Sequence, residues 1–330
     1  MERLESLQHW VAACLGSQEF GLAPASSDAS FRRYFRATFD GSNYIVMDAP
    51  PSHEDCRSFI KVARLFADAG VHVPRVLAED LRLGFLLLSD LGPVTYLSSL
   101  NESSARELYL AANAALVKIQ LASRRGELPP YDRELLLREL ALFPDWYVAQ
   151  HLGQTLTDGQ TRLLNQAFEC ILANNLAQPK VYVHRDYHSR NLMVSDPNPG
   201  ILDFQDAVYG PITYDLASLY KDAYISWEEE QVLDWVIRYW EAARKAGLPV
   251  AADFYEFYRD FEWMGAQRHI KVLGIFARLY HRDGKEAYLK DMPLVMDYLR
   301  RTCRRYTELH PMLRLLDQLE NRAAQVGYTF

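Results

Sequence analysis

The stretch VHRDYHSRNLM, residues 183–193, places His184, Arg185 and Asp186 ahead of Asn191, which follows the acid by five positions, with apolar residues on both sides. The preceding KVYVH reads as a short strand, so Asp186 and Asn191 fall on the loop after it, and LMVS is the strand that returns. A second apolar run, GILDF, delivers Asp203 at the end of another strand, seventeen residues after Asp186. Three oxygen-bearing side chains thus come to two adjacent loops at the edge of one small sheet. Phosphoryl transfer has a use for each of them. A carboxylate orients the attacking hydroxyl and accepts its proton, and hard oxygen ligands hold the Mg2+ that bridges the ATP phosphates. Asp186 suits the first task; Asn191 and Asp203 suit the second. A lone aspartate in a loop is usually a turn former or a cap. The reading rests on the conjunction of the HRD tripeptide, the spaced asparagine, the flanking strands and the Asp-Phe pair.

Around this centre the chain changes character once. From Leu22 to Gly92 it reads as strands and turns. SFRRYFRATF and YIVM form a hairpin across Asp40-Gly41-Ser42-Asn43. HEDCRSFIKVARLFADAG follows as a helix stopping at Gly70, and PRVLAED and GFLLLSDLG are further strands. Beyond Gly92 helices dominate, at 103–124, 158–174, 214–224, 228–245 and 253–281, with two more near the end. The expected architecture is α+β and bilobal, a small antiparallel-sheet lobe over residues 1–91 and a mainly helical lobe over 92–330, with the boundary near Asp90-Leu91-Gly92-Pro93. A length of 330 residues, with 49% hydrophobic and 24% charged residues, suits an ordinary soluble globular protein of two lobes. The amphipathic N-terminus, with Leu4, Leu7, Trp10, Val11, Cys14 and Leu15 at helical spacing, is not a signal peptide. No apolar run is long enough to span a bilayer. The four cysteines are scattered without metal-ligand spacing and read as thiols of a reducing cytoplasm. A net charge of −7 argues against nucleic acid as a partner, since that affinity comes from basic surface.

The pattern H-R-D-x-x-x-x-N followed by D-F-G is that of protein kinases; here the second motif is Asp203-Phe204-Gln205, without the glycine. HRDYHSRNLMV, ILDFQDA and GPITYDLASL together resemble the aminoglycoside phosphotransferase family, small-molecule kinases with a protein-kinase-like fold that include choline and homoserine kinases. The resemblance covers nearly the whole chain. It implies ATP and Mg2+ as cofactors, Asp186 as catalytic base and Asn191 and Asp203 as metal ligands. It also implies structural roles for His184 in the HRD tripeptide and for Asp215, which anchors the catalytic loop through backbone hydrogen bonds. Asp215 also suits a helix N-cap. Asp206 is placed near the metal or the acceptor. Within the family, SSDASFRRYFR, VMDAPP, GFLLLSDLG and MGAQRHIKVLGIFARLYHRDGK are similar to the kinases that phosphorylate the C1 hydroxyl of N-acetylmuramate and N-acetylglucosamine during peptidoglycan recycling.

One departure stands out. A kinase third strand carries a lysine for the nucleotide phosphates, paired with a glutamate on the next helix, whereas YIVMDAPP offers Met47 or Asp48 there. Glu54 is available as the glutamate; the lysine is what is missing. Arg32, Arg33 and Lys61 are possible replacements. Strand alternation lets only one of the two arginines face the nucleotide, and Arg33 is favoured over the alternative of a solvated strand charge. Ser27 and Ser30 belong to a small-residue loop, ASSDAS, standing where kinases have their glycine-rich phosphate cover. By the resemblance, adenine meets backbone groups at Ser89, Asp90 and Leu91.

The short segment between Asp203 and Asp215 leaves no room for a peptide-docking activation segment, so the expected acceptor is a small molecule. The distal helices are more basic than acidic, which suits a sugar carrying a carboxylate better than a polycationic drug. Arg268 and Lys271, three apart on one helix face, are the candidates for that carboxylate, against the plainer reading of a solvated face. The chain is therefore expected to be a cytoplasmic ATP-dependent amino-sugar kinase with no obligate protein partner. The alternatives are a kinase for homoserine, choline or an aminoglycoside, or an inactive nucleotide-binding pseudokinase module, which the missing lysine motivates.

Overall fold

A computed structural model describes residues 2–27 and 31–321. In chain order the strands are β1 (Gly21–Ser27), β2 (Arg33–Phe39), β3 (Ser42–Asp48), β4 (Val76–Asp80), β5 (Phe85–Ser89), β6 (Lys180–Val183), β7 (Leu192–Met193), β8 (Gly200–Ile201) and β9 (Val208–Pro211). The chain divides into two compact units, Met1–Ala122 with Arg190–Ala207, and Ser123–Ser189 with Val208–Phe330.

The first unit is built on a five-stranded antiparallel sheet of order β1-β2-β3-β5-β4. The β2–β3 hairpin closes between Phe39 and Ser42. Its two-residue loop, Asp40-Gly41, has φ of 48° and 71°, the left-handed pair that a tight hairpin turn demands. Strand alternation puts Ala37, Val46, Phe85 and Leu87 on one face. Helix α1 (Glu2–Leu15) covers that face with Leu7 and Val11, and Trp10 packs against the same cluster. Helix α2 (Cys56–Asp68) starts where the Asp55 side chain accepts the Arg57 N–H and ends ahead of Gly70, whose φ is +77°. It therefore begins after Glu54, not before it as expected. Helices α3 (Tyr96–Ser99) and α4 (Ala105–Leu121) complete this part.

The expected boundary at residues 91–92 lies inside the first unit, because the β7–β8 hairpin is stitched into it. His72 bridges Gly200 and accepts the Ile201 N–H at 2.8 Å, and Thr95 bridges Met193. Phe204 packs on Phe59 and Phe66 of α2, with ring centroids 4.9 and 5.8 Å apart. The segment carrying Asn191 and Asp203 is thus held by apolar burial as well as by backbone pairing.

The second unit carries the short β6–β9 ladder, Val183 opposite Val208. Its helices are α5 (Arg133–Leu140), α6 (Asp158–Ala177), α7 (Tyr214–Tyr220), α8 (Glu229–Lys245), α9 (Phe254–Asp283), α10 (Met292–Arg305) and α11 (His310–Leu319). The 30-residue α9 is the axis, buried almost without interruption from Phe261 to Leu273. Asp253 caps its start by accepting the Glu256 N–H, and Gly284 at φ +66° ends it. Gly274 lets α9 touch the backbone at Leu142, just ahead of the π-helical stretch Phe143–His151; a Cβ there would lie 2.4 Å from the Leu142 carbonyl carbon.

Candidate active site

In the second unit, β6 runs straight into the HRD tripeptide. The backbone N–H groups of His184 and Arg185 donate to the two Asp215 oxygens at 2.6 and 3.0 Å. Arg185 adopts φ +78°, a conformation rare for a side chain this large, and this pair of bonds holds it there. The Asp186 N–H donates to His184 Nδ1 at 3.2 Å, so the histidine serves the loop as an acceptor. Farther along, the Ser189 N–H donates to Asp222 at 3.0 Å, which pins the other end of the loop. Asp215 is fully buried in the first turn of α7. Burial raises its carboxyl to about 7 against the two backbone hydrogen bonds and the Arg268 charge.

Asp186 is half-buried. Burial pushes its carboxyl up, but Lys271, His188, Arg268 and Arg185 outweigh that and hold it at about 2. At neutral pH it is therefore an anion. Arg268 and Lys271 lie buried on α9 rather than on a solvated face. The Lys271 ammonium pairs with Glu139 at 2.9 Å and donates to the Tyr214 hydroxyl at 3.1 Å. Arg268 sits 5.7 Å from the Tyr214 ring centroid and points Nη1 at the Arg185 carbonyl, 3.5 Å away.

The metal-ligand candidates belong to the first unit. Asn191 Nδ2 donates to Asp203 Oδ2 at 3.3 Å, and Gln205 Nε2 donates to Oδ1 at 2.7 Å. Asp203 has φ +61°, and the Leu202 N–H donates to the Asn191 carbonyl at 2.9 Å, which locks the two residues in register. The departure from D-F-G thus has a physical task, since the Gln205 amide orients Asp203. Gln205 Oε1 is buried without a hydrogen-bond partner. These residues fit Mg2+: they supply hard oxygens from one carboxylate and neighbouring amides, and this ion takes few protein ligands beside phosphate oxygens and water. Among the described residues no cluster of three or more His, Cys, Asp or Glu side chains forms an all-protein metal cage. Asp206 is exposed in the turn after Phe204.

The nucleotide candidates in the first unit are dispersed. Ser27 ends β1 opposite Arg33 in the backbone ladder, while its side chain and all of Ser30 lie outside the described residues. The Ser89 backbone and hydroxyl are both engaged with Arg75, at 2.9 and 2.8 Å. Asp90 accepts from Arg36 Nε at 2.6 Å and from the Gly92 N–H, and Leu91 is buried. Arg33 is engaged with a neighbouring strand. It shares its strand parity with Phe35 and Ala37, which pack on the α1 side of the sheet, and its Nε donates to Asp48 at 3.0 Å. Asp48, with 0% exposure, also accepts from Arg3 of α1 at 2.8 and 2.6 Å. Where kinases have a strand lysine and a helix glutamate, this chain buries Met47 and next to it carries an acid held by two arginines. Of the other replacements for the lysine, Lys61 is exposed on α2 and Arg32 acts electrostatically on Cys56 at the start of that helix.

Residues 21–254 match the family described as phosphotransferase enzyme family. Over its whole length the chain is 53% identical to the N-acetylmuramate/N-acetylglucosamine kinase of Neisseria meningitidis serogroup B, covering 100% of that protein. It is 50% identical to the kinase of the same name from Pseudomonas aeruginosa, over 97% of this chain and 98% of that one. Among solved structures, a choline/ethanolamine kinase family protein from Mesorhizobium loti superposes with a TM-score of 0.65 at 15% identity, covering 96% of this chain and 99% of that one. An ADP-bound aminoglycoside phosphotransferase does so at 0.58 and 15%, covering 90% and 97%. At such identities the shared feature is the protein-kinase-like fold.

Proposed function

The chain belongs to the phosphotransferase enzyme family, and on that premise we propose that it transfers the terminal phosphoryl group of ATP to the C1 hydroxyl of N-acetylmuramate and N-acetylglucosamine. The observation that carries the chemistry is the Asp186 carboxylate, an anion at neutral pH on a loop fixed at both ends by Asp215 and Asp222. Asp186 orients the sugar hydroxyl toward the phosphorus and takes its proton as the oxygen–phosphorus bond forms and ADP departs. A base this weak acts chiefly by positioning, as a loose phosphoryl-transfer transition state requires. Asn191 and Asp203 would hold Mg2+, with Gln205 orienting the aspartate. The bound ion would neutralise charge on the phosphates. The acceptor is inferred from the full-length relatives named for these two sugars. The buried ion pair of Lys271 with Glu139 speaks against a clamp made by Lys271 for the sugar carboxylate. A fold without a membrane-crossing helix among its described residues suits a cytoplasmic place in peptidoglycan recycling.

The test is phosphate transfer from Mg-ATP to N-acetylmuramate and N-acetylglucosamine, with kanamycin, homoserine and choline as comparison acceptors and phosphorus NMR to locate the product. A C1 phosphate on the amino sugars is expected. Turnover of choline or kanamycin in preference to both sugars would overturn the proposal.

A further inference from the structure

Glu139 stands outside every motif of the catalytic loop, yet three separate elements converge on it. Its buried carboxylate accepts from the Tyr131 hydroxyl just ahead of α5, from the Arg185 guanidinium of the HRD tripeptide, and from Lys271 Nζ of α9 at 2.9 Å. Lys271 in turn donates to Tyr214, the neighbour of Asp215, and the Tyr131 and Tyr214 rings pack 5.1 Å apart. Arg185 is therefore held at its N–H by Asp215, at its guanidinium by Glu139 and at its carbonyl by Arg268. Asp186 is the next residue in the chain.

We propose that Glu139 is a positioning residue for Asp186: it takes the hydrogen bonds of Arg185 and Lys271 onto itself, so that these cations steady the Asp186 carboxylate through their field. The inference rests on the kinase reading and deepens it. The groups bearing on Asp186 are Lys271 and Arg268 from α9, Arg185 and His188 from its own loop, and Asp215 from α7, with Glu139 of α5 behind Lys271 and Arg185. Glu139 itself is driven up by burial but held below the usual carboxylate range by Lys271, Arg185 and Tyr131. Burial pushes the Lys271 ammonium down, and Glu139 and Tyr214 more than offset this, so the pair is fully charged at working pH. Without the carboxylate, two buried cations lose their partner. Asp186 follows Arg185 in the chain and already feels the charge of both cations, and pairing with them would draw it off the line of the acceptor hydroxyl.

Glu139→Gln keeps the shape and removes the charge. Its kcat is expected to fall by about 100-fold, with KM for ATP and sugar within about threefold of wild type, the signature of a misplaced catalytic group. Lys271→Met removes one of the two cations instead. The double variant, with carboxylate and ammonium both gone, is expected to recover at least about tenfold over Glu139→Gln, because residues in one charge network are not additive. A kcat for Glu139→Gln within threefold of wild type, or losses that simply multiply in the double variant, would overturn the proposal. If Glu139→Gln does not fold, Lys271→Met decides: below the limb that Asp215 gives the wild type near pH 7, its kcat profile should gain a second acid limb, since removing a cation raises the Asp186 carboxyl. Identical profiles would overturn the proposal equally. Wild-type transfer measured alongside separates the two readings. No transfer by any form defeats both, whereas an active wild type with an unaltered Glu139→Gln defeats this one alone.

Discussion

Replacing Asp215 by asparagine removes one of the two acceptors that pin the catalytic loop. In the wild type its carboxylate receives the His184 N–H at 2.6 Å and the Arg185 N–H at 3.0 Å, both out of water. An asparagine presents one oxygen and one NH2 in the same space, so one backbone N–H faces a donor. Losing one charge-assisted bond, or stranding one buried N–H, costs about 2–3 kcal/mol against the pinned loop. At about 1.4 kcal/mol per factor of ten, Asp215→Asn should lower kcat by about 30- to 150-fold while KM for ATP changes little. Steady-state transfer to N-acetylglucosamine measures this directly. The pH profile supplies the second arm. Burial has raised the Asp215 carboxyl to about 7, so it is an anion above that pH and gains a proton below it, losing an acceptor site. Wild-type kcat should therefore fall as pH drops through about 7, and the variant should lack that limb. A variant within threefold of wild type, or one that keeps the same limb, would refute the reasoning.

Two further outcomes are expected. Asp186→Asn should lower kcat by about 10³-fold or more, within the range supplied by a positioned acid or base, while calorimetry finds ATP binding intact; full activity in this variant would remove Asp186 from the mechanism. Gly274→Ala should destabilise the protein by about 1–3 kcal/mol through overpacking against Leu142, read as a lower urea midpoint, and an unchanged midpoint would mean that α9 and the 142 backbone separate at no cost.

The loop proposed as catalytic is legible in the sequence because its pattern is local: HRD, an asparagine five residues on and an Asp-Phe at a strand end need no distant partner to be recognised. The helices were read well where a cap and an apolar stripe coincide, as at Asp253 and Gly284 around α9. Glu139 is not legible in the sequence, because its meaning comes from Arg185 and Lys271, far along the chain, and no expected helix covers RELLLREL. The pairing of Arg33 with Asp48 is hidden from the sequence for a related reason. Alternation says that Arg32 and Arg33 face opposite ways, but only the packing of α1 on Phe35 and Ala37 decides which face is which. Asp48, one of the two residues standing where a kinase has its strand lysine, is the seat of two arginines. The expected lobe boundary near residue 91 does not coincide with an edge of the first compact unit, because tertiary bridges from His72 and Thr95 to the β7–β8 hairpin leave no trace in local composition.

That hairpin has a consequence for how the protein is made. The first unit is assembled from two pieces of chain separated by residues 123–189, so its sheet half waits for β7, β8 and Phe204 to be synthesised. At usual elongation rates, about 4–17 s pass between the emergence of α4 and that of Ala207. Over this interval Phe59 and Phe66 lack the ring they close upon, and α2 is left as an apolar surface on a nascent chain. A fragment ending at residue 91 or at residue 122 would keep that surface permanently, which makes the sheet half a poor candidate for expression by itself and the β7–β8 hairpin the last stitch of its folding.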